Sequence, residues 1–133
     1  MTKNSLSPEL FRVIDANLNR LREGIRVVED ILRYKENNKF LATKLKELRH
    51  LTQLPDYKKY LQYRDSINDV LKPSTHSEQQ RTSLESIIIA NLKRAQESSR
   101  VIEELFKLED LEVSERFKHI RYELYDIEKE ILL

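Results

Sequence analysis

Asparagine, arginine and glutamate recur in this chain at helical spacing, and they do so twice. Ala16, Asn17, Leu18, Arg20, Glu23, Arg26, Val27 and Glu29 return in the same order 74 positions later as Ala90, Asn91, Leu92, Arg94, Glu97, Arg100, Val101 and Glu103. A duplicated packing unit has to keep only its apolar period, because surface charges drift freely. Identity at polar positions therefore points to use of the polar groups. The chemistry open to them is anion recognition. Guanidinium forks match phosphate and carboxylate oxygens, an Asn offers both donor and acceptor, and a Glu either steadies an Arg or ligates a cation. The competing reading is an ion-pair ladder, with Arg22, Arg26, Glu29 and Arg33 three or four residues apart on one helix.

A second group lies between the two copies. Asp65 and Asp69 are four residues apart, a spacing that lets two carboxylates share a hydrated Mg²⁺, and Arg64 and Arg81 add cations nearby. Other signatures are missing. Glu47 and His50 form a single Glu-x-x-His, whereas a carboxylate-bridged di-metal bundle needs that motif on two helices, and the repeat places His119 and Tyr122 there. No glycine-rich phosphate loop exists, and with one glycine in the chain any phosphate must be held by side chains and helix ends.

These residues need helices to hold them. Ile14, Leu18, Leu21, Ile25, Val28 and Leu32 step alternately by four and three, the stripe of an amphipathic helix, with Ser7 as N-cap and Pro8 at its first position. That helix fades in the polar stretch Lys35 to Lys39. The stripe returns as Ile88, Leu92, Ala95, Ser99, Ile102 and Phe106, preceded by Ser77 and Gln80 as an expected capping box. Ala95 and Ser99 stand where the first copy has Leu21 and Ile25, which implies close helix approach or room for a ligand. Leu41, Leu45, Leu48 and Thr52 match Val113, Phe117, Ile120 and Leu124 at an offset of 72, with Arg49 on Arg121. The duplicated unit is thus a helical hairpin.

The expected architecture is all-α: a single domain over residues 1–133 built from two pseudo-repeated hairpins, about 12–52 and 86–125, with a short helix and loop inserted at about 55–78. On a wheel with the apolar stripe at zero, Asn17 falls about 60° and Arg20 about 120° to one side, Glu29 about 60° and Arg26 about 120° to the other. The polar groups flank the core on both sides. Asn is a poor helix former, so Asn17 and Asn91 in mid-helix imply a specific hydrogen-bonding task, either in ligand binding or in helix register. Gly24, inside the first helix, costs about 1 kcal/mol relative to Ala and marks a close approach.

Composition narrows the partners. With 24 Lys and Arg against 23 Asp and Glu the net charge is +1, which argues against general nucleic-acid binding or attraction to an anionic membrane. Any anion site must be local. Charged residues at 35% with one Gly and three Pro read as helical. The absence of Cys, of a signal-peptide pattern and of a long apolar run leads to the expectation of a cytoplasmic protein.

The stretch RVIDANLNRLREGIRVVEDILR from Arg12 to Arg33, the second copy ANLKRAQESSRVIEEL, and Arg64-Asp65, Asp69-Val70 and Glu78 to Arg81 together resemble a small family of hydroxymethylpyrimidine phosphate kinases. Members stand alone or are fused to the N-terminus of thiamine phosphate synthase. The chain, ending at Leu133, resembles the standalone form. The resemblance implies transfer of the ATP γ-phosphoryl group to 4-amino-2-methyl-5-hydroxymethylpyrimidine monophosphate, with Mg²⁺, in thiamine biosynthesis. On that basis Arg26, Arg100 and Asp65 are the expected catalytic residues, and Asp65 and Asp69 hold the metal. Asn17, Arg20, Glu23, Glu29, Arg64, Arg81, Asn91, Arg94, Glu97 and Glu103 are expected to contact substrate or nucleotide. Leu71 stands where the pattern has Gly, so a differently shaped loop is expected there. The alternatives are a chorismate-mutase-like helical enzyme that binds a dianion with Arg, and a non-catalytic helical interaction module. A homodimer is one expected way for so small a bundle to complete its core.

Overall fold

A computed structural model describes residues 6–133, and among them there is no strand. The helices are α1 (Pro8–Asp30), α2 (Lys39–Leu51), α3 (Tyr57–Leu61), α4 (His76–Gln79), α5 (Leu84–Phe106) and α6 (Leu111–Leu132). The all-α bundle expected from the repeat is what forms. Ser7 is the N-cap of α1 and Pro8 follows it, although the Ser7 side chain makes no capping hydrogen bond. At its far end α1 widens into one π-helical turn, Ile31–Lys35, and Asn37 then takes a left-handed backbone (φ 53°) that reverses the chain into α2.

The start of α5 corrects the sequence reading. Ser83 caps it, accepting from the Ser86 backbone N–H at 3.0 Å while the Ser86 hydroxyl oxygen accepts from the Ser83 N–H at 3.1 Å. Ser77 falls on α4, where its side chain lies outside the described residues. The insert therefore extends to Ser83, because a Ser-x-x-Ser pair satisfies the first turn as well as the Ser-x-x-Gln chosen from sequence.

Each hairpin packs α1 on α2 and α5 on α6, and the two meet chiefly where α1 crosses α5. Ile14, Leu21, Ile25 and Val28 from α1 meet Leu92, Ala95 and Ile102 from α5 in the core, closed by Leu45, Phe117, Ile120 and Leu124. Each such side chain contributes about 1.5–3 kcal/mol when fully buried. The two alternatives posed by the small residues resolve toward close approach. A Cβ on Gly24 would lie 2.9 Å from the Asn91 carbonyl oxygen and 3.4 Å from the Ala95 Cβ. Ser99 is fully buried, its hydroxyl donating to the Phe117 carbonyl at 2.6 Å. Gly24, Ala95 and Ser99 thus serve helix packing.

One buried ion pair ties each hairpin shut. Glu29 on α1 accepts from Arg49 on α2 through Nε at 2.7 Å and Nη2 at 3.1 Å. Glu103 on α5 accepts from Arg121 on α6 through Nη2 at 2.8 Å and Nε at 3.3 Å. The two bridges occupy equivalent places in the repeat, so part of the duplicated polar pattern is architectural.

Candidate functional site

The insert lies across one face of α1 and is fastened there by side chains that the second copy lacks. Phe11 meets Tyr60 and Tyr63 edge-on, with ring centroids 5.6 and 5.4 Å apart. Burial pushes the Tyr60 hydroxyl up to about 12, helped by Glu109 and Asp56. Beyond the rings, the buried Asp15 accepts a two-pronged contact from Arg64, at 2.8 Å from Nε and 2.9 Å from Nη2. That hydrogen-bonded pairing raises the Arg64 pKa further above its ordinary value, with the Tyr57 hydroxyl adding to it. Arg12 donates from Nη2 to the Asp65 carbonyl at 2.7 Å. A bidentate guanidinium pair and an aromatic contact fix orientation as well as position.

Between α1 and the pinned loop lies a cleft of about 430 Å³, lined by Arg12, Asn17 and Arg20 on the helix and Asp65, Asn68 and Asp69 on the loop. The structure brings the two sequence-predicted carboxylates to the same cleft as two of the repeated residues. Asp65 accepts from the Asn68 side-chain amide at 2.8 Å and from its backbone N–H at 3.2 Å. Those bonds, with the Arg12 charge, hold its carboxyl below the usual carboxylate range. Asp69 accepts from the Leu71 N–H at 3.0 Å. Leu71 has no left-handed backbone, because Asn37 is the one non-glycine residue described with positive φ. The turn therefore does not require Gly at that place.

Around Asn17 and Arg20 this cleft continues into a second, of about 390 Å³, where Arg20 is joined by Ala90, Arg94, Glu97 and Ser98 of α5. Arg20 and Arg94, equivalent in the repeat, thus line one groove at the helix crossing. No side-chain partner compensates either guanidinium among the described residues. Uncompensated Arg beside a paired carboxylate loop is an arrangement suited to a polyanion carried with a divalent cation. A third cleft, about 340 Å³, backs onto the first and shares Asp15 and Asn19 with it.

The remaining sequence-predicted residues are placed elsewhere. Arg26 pairs with Asp30 at 3.3 Å and Arg100 with Glu104 at 3.2 Å, both on exposed faces one turn apart. Both Arg sit in i,i+4 ion pairs, though with Asp30 and Glu104 rather than with the Glu29 of the expected ladder, and they are not among the residues lining the clefts described above. Glu29 and Glu103 are turned onto Arg49 and Arg121. Burial pushes the Glu29 carboxyl up, but the hydrogen bond and charge of Arg49 outweigh it and leave the pKa below its ordinary value. Arg64 serves Asp15 at the edge of the cleft, and Arg81 donates to the Gln80 carbonyl at 2.9 Å. Glu23 is exposed. Asn17 and Asn91 each donate from Nδ2 to the carbonyl four residues back, Val13 and Ile87, both at 2.9 Å. Each keeps its amide oxygen as an acceptor, and only that of Asn17 belongs to a residue lining the clefts.

Sequence reasoning gave no site role to Arg12, Asp15 and Asn19, and read Arg22 as part of an ion-pair ladder. Their counterparts 74 positions on are Ser86, Ile89, Lys93 and Gln96. The signal that finds them is where the copies disagree in charge or polarity, because an insert on one side makes the two α-helical faces inequivalent. Among the described residues no group of three or more His, Asp or Glu is placed so that it could hold a metal ion. Two carboxylates suffice for Mg²⁺, which keeps several waters and takes substrate phosphates as its other ligands. Asp65 and Asp69 fit that requirement, since each carboxylate retains acceptor capacity beyond its loop bonds.

Fold and groove define a small helical-bundle protein with an Arg-lined cleft. The model of the ThiD2 family matches residues 12–130, and the chain belongs to that family of thiamine biosynthesis. It is 39% identical over 132 residues to a thiamine-phosphate synthase of Prochlorococcus marinus (strain AS9601), covering 98% of this chain and 38% of that one. A thiamine-phosphate synthase of Nostoc punctiforme is 34% identical over 131 residues, covering 98% and 37%, and one of Synechocystis is 38% identical over 124 residues, covering 92% and 36%. The chain spans less than two fifths of the length of these relatives. No solved structure matches it. No helix among the described residues is long and apolar enough to cross a membrane.

Proposed function

We propose that the protein is a kinase that transfers the γ-phosphoryl group of ATP to 4-amino-2-methyl-5-hydroxymethylpyrimidine monophosphate, yielding the diphosphate and ADP. The observation that carries this reading is a pair of adjoining clefts that share Asn17 and the uncompensated Arg20, one lined by Arg94 and the other by the Asp65 and Asp69 loop. Membership of a thiamine-biosynthesis family supports the identity of the substrate.

The chemistry makes modest demands on the protein. The attacking group is a phosphate monoester oxygen whose second pKa is about 6, so near neutral pH it is already ionised and needs no strong general base. It forms a bond to the γ-phosphorus as the bond to the β–γ bridging oxygen breaks, and ADP leaves with that electron pair. What the protein must supply is alignment and charge compensation between two polyanions. Arg12, Arg20 and Arg94 hold phosphate oxygens, and the Asn17 amide oxygen orients a donor on either ligand. Asp65 and Asp69 would hold Mg²⁺, which would supply charge neutralisation to the phosphates. Glu97 lines the same groove as Arg20 and Arg94. Arg26, Arg100, Glu29 and Glu103 act as scaffold. Turnover is tested by incubating the protein with Mg-ATP and the pyrimidine monophosphate and separating nucleotides. Formation of ADP with the pyrimidine diphosphate is expected, and failure of both to appear would sink the kinase reading.

A further inference from the structure

The third cleft carries an unanswered charge. It lies between α1, the end of α2 and α3, encloses about 340 Å³, and has ring and apolar walls from Tyr57, Tyr60, Leu18 and Leu54. Arg22 lines it, with its Nε buried and without a hydrogen-bond partner. A buried guanidinium N–H left unpaired costs free energy that a native site recovers when an acceptor arrives. None of the acceptors lining the cleft bonds Arg22 Nε. Asp15 is taken by both prongs of Arg64, and the Thr52 hydroxyl donates to the Arg49 carbonyl at 2.6 Å. The equivalent residue in the second copy, Gln96, is instead satisfied by Glu128 at 3.1 Å. So Arg22 is a cation placed where the copy without an insert has a packing residue.

We propose that this cleft is the subsite for the pyrimidine monophosphate, with the ring between the Tyr57, Tyr60 and Leu18 walls and the phosphate on Arg22. The assignment rests on the kinase reading and adds the residue that selects the acceptor. Volume and charge both favour the smaller ligand. A cavity of this size is at the low end for small-molecule sites, and a single uncompensated cation matches one phosphate better than three. Asp15 and Asn19 form a common wall with the Arg20 and Asp65 cleft, so a phosphate at Arg22 lies next to the groove assigned to the nucleotide. Asn19 offers an amide to a ring nitrogen or an exocyclic amine from that wall.

Calorimetric titration of the full chain tests the assignment. The pyrimidine monophosphate and Mg-ADP are titrated separately, the former with and without a non-hydrolysable ATP analogue, into wild type, Arg22→Gln and Arg22→Lys. Arg22→Gln is expected to weaken the pyrimidine monophosphate at least tenfold and leave Mg-ADP within twofold, with partial recovery in Arg22→Lys. Thermal unfolding of both variants controls for folding. Unchanged affinity for the pyrimidine monophosphate, a loss confined to Mg-ADP, or no binding of the pyrimidine to wild type under either condition overturns the subsite. The two proposals fail separately. Turnover by wild type with an unchanged KM for the pyrimidine in Arg22→Gln keeps the kinase and removes the subsite. Arg22-dependent binding without any turnover removes the kinase and keeps the subsite.

Discussion

Replacing Glu29 by Gln separates architecture from catalysis among the repeated polar residues. The Glu29 side chain is 1% exposed and takes two charge-assisted bonds from Arg49, whose side chain is 15% exposed. Breaking a buried ion pair from one side costs about 3–5 kcal/mol. Gln keeps the shape and one neutral acceptor, and Arg49 retains some solvent, so the expected loss is about 2–3 kcal/mol, from the worth of hydrogen bonds to charged groups. A domain of this length is stable by about 7–20 kcal/mol, so it stays folded at 25 °C. At about 3–5 °C per kcal/mol the Tm should fall by about 6–15 °C. Glu103→Gln should do much the same, because Arg121 holds Glu103 in the equivalent place. Differential scanning calorimetry reads the Tm, and ligand titration below it reads binding. If Glu29→Gln keeps the wild-type Tm while nucleotide or pyrimidine binding is lost, Glu29 belongs to the ligand site and the scaffold assignment is refuted.

Two further outcomes follow from the same contacts. Because the Glu29 carboxyl is depressed below its ordinary value of 4.5 in the folded chain, its stabilisation is present above that value and lost as pH falls through the lower folded one. Urea unfolding of wild type and Glu29→Gln should therefore diverge at neutral pH and converge in strong acid, and a gap that persists or widens in acid would contradict the pairing. Gly24→Ala should destabilise although Ala is the better helix former by about 1 kcal/mol. Its Cβ would sit 2.9 Å from the backbone oxygen of Asn91, which can yield only by parting the helices. With overpacking at about 1–3 kcal/mol, a net loss near 1 kcal/mol is expected, and a stabilised variant in denaturant melts would show that the crossing has slack.

The bundle was legible because its apolar stripe is strong. Ile14 through Leu32 and Ile88 through Phe106 are buried as their period requires, with Leu18 partly so, and the match of Arg49 to Arg121 already paired the outer helices. The site was legible only in part. Identity between the copies drew attention to Arg26, Arg100, Glu29 and Glu103, and a one-dimensional repeat does not distinguish residues kept for a shared ligand from residues kept for a shared fold. Glu29 and Glu103 answer to Arg49 and Arg121, contacts that span the hairpin and have no signature on the helix wheel of a single element. Asp15 and Arg64 lie 49 residues apart, so their pairing emerges only when the insert folds back. The capping box was misplaced for a simpler reason: two serine caps lie six residues apart, and the downstream one is used.

In the proposed kinase, phosphate is recognised in the groove at the α1 and α5 crossing rather than on the exposed faces of the repeat. Steady-state kcat/KM for the pyrimidine monophosphate with Mg-ATP, compared between Arg20→Gln and Arg26→Gln, tests this most directly. Loss of a donor aimed at developing charge lowers turnover by about 100-fold or more, and that is the expectation for Arg20→Gln, with Arg26→Gln within about twofold of wild type because Arg26 serves an exposed pair with Asp30. A near-normal Arg20→Gln together with an inactive, folded Arg26→Gln would contradict it.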